Sequence, residues 1–508
     1  MHGEDTYLFV HQLMRDAAYD LQLPEARALL HAWAIEAVEQ LHGTAPVHVP
    51  LLGDASPPLA VDPFAQGLAE HARRALESGH PDAGRLRRKH LDCLWRAALH
   101  ARGKYRNAEA TQVLEAIADS NEETCANRAE AARLTGDIQR VSGQPDSAER
   151  RYRQACELAA DNALNSEHGL ALDRLGGLMR ETGRTHAAET FLRRALALLE
   201  RSGPRRAEGM CLRGLANLFS ETGRMDDAIA LHRRALALLR DVAYLPGEAA
   251  SLDSLANLHL MAGQYEQAET LYKEALRVER EAGHLQYEGS TLGNLAILYS
   301  DTRRFDEAEA MYVRAIDIQR QVGNRRSEGI AVGNLATLYH RTNRRDDALR
   351  CYLEADAIHR EVGNRRGEAV ELGHYAMLLK EGGDLDSAEQ SIERAIVIHR
   401  EVNNRRGEGV SLGQQGEVFE AQGRVTEAEQ SFARAVELHR EVRNRRFEVR
   451  DMCQRAIVLV KLGRVDEARS VWKAARRVAL EQAPGEEISE FEAGLAEACR
   501  RRGVPVFQ

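Results

Sequence analysis

The feature that most constrains the fold is a repeat of 40 residues. Alanine recurs at this spacing ten times. Glycine stands five residues before the alanine in eight of the ten repeats, and Arg303 and Asn343 stand there in the other two. The alanines are Ala108, Ala148, Ala188, Ala228, Ala268, Ala308, Ala348, Ala388, Ala428 and Ala468. A unit this short cannot bury its apolar surface alone, so neighbouring units must stack. The 508 residues therefore predict ten stacked units and not three separate domains.

Each unit carries two amphipathic patterns. In the unit around Gly263, apolar residues recur at steps of three and four over residues 248–261 and again over 265–282. This spacing predicts two helices with the glycine between them, where a helix C-cap requires a positive φ. Asn343 tolerates that conformation, and Arg303 does so less easily. The sequence thus predicts an all-α protein.

Composition narrows the function classes. Aromatic residues make up only 5% of the chain, which fits stacked thin helix pairs better than one thick core. The formal charge is 69 − 78 = −9, which argues against a broad nucleic-acid-binding surface. Seven scattered cysteines predict reduced thiols and neither disulfides nor a zinc site. The chain has no apolar stretch of membrane-spanning length and no signal peptide, so we expect no membrane partner and a cytoplasmic location.

The repeat resembles the tetratricopeptide repeat. Residues with the positions and sizes of that family are Leu292, Leu295, Ala296, Tyr299, Ala308, Tyr312 and Ala315. The period is six residues longer than the usual 34, and the segment 323–329 is similar to the forty-residue class found in spindle-orientation adaptors and kinesin light chains. HEAT and armadillo units have a similar period but lack the Gly-x-x-x-x-Ala step, so they are a distant alternative. The resemblance implies a right-handed superhelical solenoid of about ten helix pairs over residues 85–482, with a capping helix and tail over 483–508.

The N-terminal segment has a different character. Residues 7–19, with Arg27 and the 36–39 stretch, resemble the end of the winged-helix segment that follows the NTPase module in bacterial signal-transducing NTPases and regulators. We assign residues 1–41 to this remnant. Residues 42–84 are expected to form a proline-rich linker and a lead-in helix.

No sequence motif indicates an enzyme. The chain lacks a phosphate-binding loop, His-Glu-x-x-His, Gly-x-Ser-x-Gly and kinase signatures, so we predict no catalytic residue and no cofactor. His359, His399 and His439 recur once per unit. Ligands so spaced cannot converge on one zinc ion, and we expect no metal and partly exposed second-helix histidines.

In tetratricopeptide arrays the first helices line a concave groove. The resemblance places there the candidate peptide-binding residues Asn217, Asn257, Asn294, Asn334, Arg174, Arg213, His374 and Gln414. An amide can clamp the backbone of an extended peptide, or it can bond to a neighbouring repeat as a spacer. Glycines beside this track, namely Gly293, Gly333, Gly373 and Gly413, leave room either for a ligand or for helix packing.

Arginine pairs recur where first helices are expected to begin. They are Arg205 and Arg206, Arg325 and Arg326, Arg365 and Arg366, Arg405 and Arg406, and Arg445 and Arg446. Cations there oppose the helix dipole. They either pair locally with Glu328, Glu368 or Glu408 and with the preceding helix end, or form a rim that receives an acidic peptide.

The sequence therefore predicts a non-enzymatic scaffold that binds an extended peptide or protein segment, an acidic one included, in the groove. The alternative is the C-terminal sensor arm of a split or truncated bacterial signalling NTPase or transcriptional regulator, with the separate NTPase or regulator subunit as partner.

Overall fold

The computed structural model describes residues 19, 21–43, 59–104, 106–480 and 486–507, which form helices and no strand. A 3₁₀ turn, Asp62–Phe64, precedes α2. The helices are α1 (Pro24–His42), α2 (Ala65–Glu77), α3 (Ala83–Gly103), α4 (Asn107–Ala118), α5 (Cys125–Val141), α6 (Pro145–Asp161), α7 (Asn165–Glu181), α8 (Thr185–Ser202), α9 (Arg205–Glu221), α10 (Met225–Asp241), α11 (Leu245–Met261), α12 (Tyr265–Glu281), α13 (Leu285–Asp301), α14 (Phe305–Gln321), α15 (Arg325–Arg341), α16 (Arg345–Glu361), α17 (Arg365–Gly382), α18 (Leu385–Glu401), α19 (Arg405–Ala421), α20 (Val425–Glu441), α21 (Arg445–Leu462), α22 (Val465–Leu480) and α23 (Glu486–Arg502).

The helices from α3 to α22 follow one another as ten pairs, each with a first and a second helix. This confirms the predicted all-α repeat architecture. The chain divides into two compact units, residues 1–258 and 259–508, which are described separately.

In the first unit the repeated alanines set the distance between helices. Ala148, Ala188 and Ala228 are fully buried, so the helix backbones approach closely. Larger side chains such as Tyr152 and Leu192 fill the space between successive pairs. The apolar surface of each pair is thus covered by its neighbours, as stacked repeats require.

The second unit repeats this packing. Tyr272, Tyr312, Tyr352 and Phe432 occupy the same register position of their second helices, and all are buried. At the C-terminal end, α23 packs on α21, where Leu495 and Trp472 share one apolar cluster. The last helix therefore covers the apolar surface of the last pair.

The turns contain residues in the left-handed conformation. Gly263 has φ 71°, and Arg303 and Asn343 have φ 61° and 59°, which confirms the turn inside the pair. Gly103 differs, because it still belongs to α3 and does not have a positive φ. A second left-handed position lies between pairs and was not predicted; even Ala163 adopts it, with φ 55°.

Some predictions lie partly outside the described residues. These are the winged-helix resemblance of residues 1–41, of which 1–18 and 20 are not described, and the linker, of which 44–58 are not described. They stay predictions, as do the domain boundaries. The seven cysteines are free thiols. In the part of the chain that the structure describes, every helix is too short or too polar to cross a bilayer.

Candidate functional site

The recurring histidines are buried, so the expectation that they are partly exposed was wrong. The exposed fractions of His359, His399 and His439 are 1%, 2% and 0%. Space for the His359 ring comes from a glycine, since a Cβ on Gly329 would lie 2.7 Å from its Cε1. The described residues contain no group of side chains suited to hold a metal ion.

Each of these histidines bonds to an asparagine in the turn that follows. Asn364 Nδ2 lies 3.1 Å from His359 Nδ1, while Asn364 Oδ1 accepts a bond from the backbone N of Gly367 at 3.2 Å. The amide orientation is fixed by that helix cap, so Nδ2 donates and the imidazole accepts through an unprotonated Nδ1. His399 repeats the arrangement with Asn404 at 3.2 Å, and burial lowers the pKa of His399 to about 4. Burial also lowers the pKa of His359, so His359 and His399 hold their turns as neutral rings.

The first arginine of most dyads is committed to a buried glutamate. Glu328, 1% exposed, accepts from Arg320 Nε at 2.8 Å and from Arg325 Nη1 at 2.6 Å. The same pairing recurs for Arg365 with Glu368 (2.6 Å), Arg405 with Glu408 (3.2 Å) and Arg445 with Glu448 (2.7 Å). The local-pairing interpretation therefore accounts for these arginines.

The other dyad members lie differently. Arg205 is 3.8 Å from Asp241, and the guanidinium of Arg206 stacks 3.6 Å from the Tyr244 ring centroid. Arg326, Arg366, Arg406 and Arg446 are exposed, and the first three make no ion pair within the described ranges. An anion-binding rim stays a prediction, and these exposed second members are its best candidates.

A second set of ion pairs joins successive second helices. A glutamate on one second helix bonds to the arginine that precedes the next second helix, as in Glu309 Oε2 to Arg344 Nη1 at 2.7 Å. The six pairs are Glu149–Arg184, Glu189–Arg224, Glu269–Arg304, Glu309–Arg344, Glu389–Arg424 and Glu429–Arg464. We call this set the junction ladder. In two repeats the glutamate is replaced, by Ile229 or by Leu349. The arginine is then absent too, with Gln264 or Asp384 at its position.

The charges of the junction ladder are paired within the protein and join successive second helices. Burial alone would raise the pKa of Glu269, but hydrogen bonds from Arg304, Lys273 and Tyr299 lower it to about 2. Four of the six arginines, Arg224, Arg304, Arg344 and Arg424, also lie over an aromatic ring, as Arg344 does 4.0 Å from the Tyr339 centroid. From Glu149 onward the two members are present together or absent together, a pattern that was visible in the sequence but was not predicted.

For the junction ladder we predict a small coupling. A double-mutant cycle of Glu309→Ala and Arg344→Ala, measured by urea unfolding, should give an interaction energy of about 0.2–1 kcal/mol, because the pair is half exposed. The same cycle on Leu349→Ala and Asp384→Ala serves as control and should show no coupling. A zero value for the first pair would mean that the ladder does not hold the junction.

On the first helices of the second unit, one position of the repeat is always polar. Asn294, Asn334, His374 and Gln414 lie 40 residues apart on α13, α15, α17 and α19, and each is half-buried or buried. One helical turn before Asn334 and His374 stand Ile330 and Val370, whose exposed fractions are 48% and 39%. Because successive first helices pack together, these residues form one strip, which we call the first-helix strip.

The remaining predicted groove residues lie in the first unit. Asn257 Nδ2 donates to the carbonyl of Asp253 at 3.0 Å on its own helix. Arg174 makes ion pairs with Asp173 and Asp137 at 3.1 and 3.3 Å. Arg213 Nη1 lies 3.5 Å from Met210 Sδ, and Asn217 is half-buried on α9. Arg174 has the same position in the repeat as the first-helix strip but lies in the first unit, whereas Arg213, Asn217 and Asn257 have other positions in the repeat.

The glycines beside the strip mainly serve packing. A Cβ on Gly373 would lie 2.7 Å from Gln414 Oε1, and one on Gly413 would lie 2.7 Å from Asp451 Oδ2. Gly333 likewise makes room for the Glu371 carboxylate. Only Gly293, among these four, has open space around it.

Charged residues that the sequence analysis missed border the strip. Glu417 bridges Lys380, whose Nζ lies 2.6 Å from Oε2, and Arg450 on the next first helix. His340 Nε2 lies 2.9 Å from Glu381 Oε2. These contacts join successive first helices, so the border is electrically balanced.

Comparison with known proteins agrees with this geometry. Tetratricopeptide repeat family models match residues 167–241, 212–281, 287–361 and 411–446. The chain contains tetratricopeptide repeats. Outside the matched segments the same helix pairs continue, with alanine at the same spacing of 40 residues. The search of curated protein sequences returned no match.

Solved structures with tetratricopeptide-like folds are similar to the chain. The apo quorum sensor NprR from B. thuringiensis has a TM-score of 0.50 and 15% identity, covering 68% of this chain and 97% of its own. Aspartyl phosphate phosphatase F from Bacillus subtilis has a TM-score of 0.46 and 16% identity, covering 76% and 96%. Repeats of a kinesin light chain from Podosopora anserina have a TM-score of 0.34 and 16% identity, covering 40% and 99%. At these identities the likeness concerns the fold alone.

Proposed function

We propose that the first-helix strip binds an extended peptide or protein segment, so that the protein is a non-enzymatic scaffold. The observation that carries this proposal is the combination of exposed Ile330 and Val370 with hydrogen-bonding side chains one turn away. An isolated exposed apolar residue is ordinary, but a repeated one beside aligned amides supplies both contact area and backbone recognition.

Two polar side chains of the strip, Asn334 and His374, have hydrogen-bonding capacity left. Asn334 makes no hydrogen bond within the described residues, so its amide can both donate to and accept from a peptide backbone. His374 Nδ1 is buried and has no partner there. Burial, followed by the nearby His340, lowers the pKa of His374, so its ring is neutral at pH 7 and can also bond in both directions.

A finer part of the proposal concerns charge. Arg326, Arg366 and Arg406 stand at the starts of α15, α17 and α19, the helices that carry the strip. Acidic residues in the bound segment would pair with them, and the affinity would then fall as salt is added. The alternative of a sensor arm for a separate NTPase has no support in the described residues or in the comparisons.

The experiment is a selection of peptides on the full-length protein. A displayed library of random twelve-residue peptides is selected against the wild type, and dissociation constants of the enriched peptides are measured for wild type and variants. We expect Asn334→Ala combined with Ile330→Asp to weaken binding at least tenfold, because the change removes an amide and places a charge on the apolar surface. The melting temperature should change little, since both side chains are partly solvated.

Two further variants make the result specific. Asn294→Ala with Asn334→Ala removes two steps of the same register and should also weaken binding, whereas Asn257→Ala, whose amide bonds to its own helix, should not. If the enriched peptides bind the strip variants as tightly as the wild type, the strip is not the binding site. A loss of helicity that parallels the loss of affinity would instead support the spacer interpretation.

A further inference from the structure

Two positions of the repeat carry unusual residues around α16 and α17. The position of Asp356 on α16 is apolar and buried in other units, where Leu236, Leu276, Ile316, Ile396 and Val436 stand. The position of Glu371 on α17 is otherwise occupied by the smaller Ala171, Cys211, Ser251, Thr291, Ala331, Ser411 and Asp451. Two carboxyl groups thus replace side chains that serve packing elsewhere.

These two carboxyl groups line a cavity of about 310 Å³ between α16, α17 and α18. The cavity exists in part because Ser391 is small where α8, α10, α12 and α14 carry Phe191, Leu231, Leu271 and Met311. The rings of Tyr352 and Tyr375 complete its wall. The junction ladder is also interrupted here, since Leu349 and Asp384 replace its glutamate and arginine.

The carboxyl groups lack the partners that a structural role would provide. Glu371 is 6% exposed and its Oε2 has no hydrogen-bond partner in the described part of the chain. Asp356 is 8% exposed; Arg360 bonds to its Oδ2, but its Oδ1 has no partner there. Burying such groups unpaired is costly.

Other units place a partner near the same register position. Thr291 Oγ1 donates to Glu279 Oε1 at 2.9 Å, and Asp451 Oδ2 lies at an ion-pair distance of 3.3 Å from His439 Nε2, although neither of these two atoms has a hydrogen-bond partner in the described residues. Glu371 makes no such contact and extends toward Gly333 instead. Its Oε2 therefore lacks even the nearby imidazole that Asp451 has in His439.

We propose that the cavity between α16, α17 and α18 binds a primary alkylammonium ion, whose N–H groups donate to Asp356 and Glu371. An ammonium group has three donors and a positive charge, which match two carboxyl groups that each lack a full set of partners. The tyrosine rings and Leu372 would contact the alkyl chain, and a ring face also attracts the cation. A volume of about 310 Å³ is at the small end of ligand sites, which suits a short chain.

Proton release should accompany binding. Burial, and then the charge of Asp356, raises the pKa of Glu371 to about 8, so this group is mostly protonated at neutral pH. An ammonium ion beside it favours the carboxylate, and the proton leaves to the buffer. The surrounding titratable and charged groups are Tyr352, Asp356 and Arg360 on α16, His374 and Tyr375 on α17, Arg394 on α18 and His340 on α15. Arg394 is held by Glu368 at 2.6 Å.

The test is a titration of the full-length protein with pentylammonium chloride, followed by calorimetry in two buffers of different ionisation enthalpy at pH 7. We expect saturable one-site binding with release of up to one proton. Asp356→Asn and Glu371→Gln should each weaken binding at least tenfold, because both keep the shape and remove the charge. N-acetyl-lysine amide, titrated in parallel, distinguishes a free amine from the lysine side chain of a protein as the source of the ammonium group.

The controls decide the outcome. Glu393→Gln removes an exposed carboxyl on α18 outside the cavity and should leave binding unchanged. Absence of saturation with both amines, equal binding by wild type and the two cavity variants, or equally tight binding of uncharged 1-pentanol would overturn the proposal. The cavity shares no residue with the first-helix strip, so none of these results would touch the peptide-binding proposal.

Discussion

A variant that carries Asp356→Ile and Glu371→Ala is expected to melt at a higher temperature than the wild type at pH 8. The two substitutions return both positions to the apolar and small residues that other units have there. Replacing buried, incompletely paired charged groups by packed apolar side chains often stabilises a protein by about 1–4 kcal/mol. The gain should be visible as a higher melting temperature and a higher urea midpoint.

The gain should shrink as the pH falls. Folding raises the pKa of Glu371 from about 4.5 to about 8, so the folded state holds the proton more tightly than the unfolded state. Stability from this group is therefore complete below pH 4.5 and is lost as the pH rises through 8. Measured at pH 5.5 and pH 8, the difference between variant and wild type should be larger at pH 8.

The single variant Glu371→Gln separates charge from packing. It should retain the pH dependence of the gain, because it removes only the ionisable group. Glu393→Gln, on the exposed face of α18, should show no pH-dependent difference from the wild type. A double variant that is less stable than the wild type at pH 8 would show that the carboxyl groups hold the units together.

His399→Gln is expected to become favourable relative to the wild type as the pH falls from 7.5 to 5.5. The buried ring has a pKa of about 4 against an ordinary 6.5, so its stability contribution is complete above 6.5 and is lost as the pH falls toward 4. At pH 5.5 this loss is about 1–2 kcal/mol. Glutamine fits the register, because Gln319 stands at the same position of α14 and bonds to the carbonyl of Gln286 at 3.1 Å.

The measurement is the variant's urea midpoint minus that of the wild type at several pH values. Taking this difference removes the opposite contribution of Glu371, which is common to both proteins. His186→Gln changes an exposed histidine on α8 and should show a flat difference. A flat difference for His399→Gln as well would mean that the ring accepts a proton without losing its asparagine contact.

The helix pairs were predictable because one pattern is written ten times. Repetition shows that Ala268 and Gly263 stand at fixed places in a unit, and helix periodicity then orders the residues between them. The left-handed turn between pairs was missed, since its residues vary among Gly323, Asn403 and Ala243 and only backbone geometry unites them. A left-handed turn cannot be recognised from the residue type when the turn also accepts residues that disfavour a positive φ, such as Ala243.

The functional residues were harder to predict for a related reason. His359 was expected to be partly exposed, because the sequence does not show that the missing side chain of Gly329 leaves space for its ring. Asp356 and Glu371 escaped notice because each is an ordinary residue type for a helix. Both residues differ from the apolar or small residues at the same position of other repeats, which the sequence alone shows. The predictions rested on residues that the repeats share and not on those that differ.

The junction ladder has a consequence for how such an array responds to force or partial denaturation. A repeat array behaves as a one-dimensional series of elements with nearest-neighbour coupling. Between α16 and α18 the ladder pair is missing, since Leu349 and Asp384 cannot pair as Glu309 and Arg344 do, and the contact of His340 with Glu381 joins only the first helices. The ladder therefore adds nothing to the coupling at this junction of the second unit, and we expect partial denaturation of this unit to begin there.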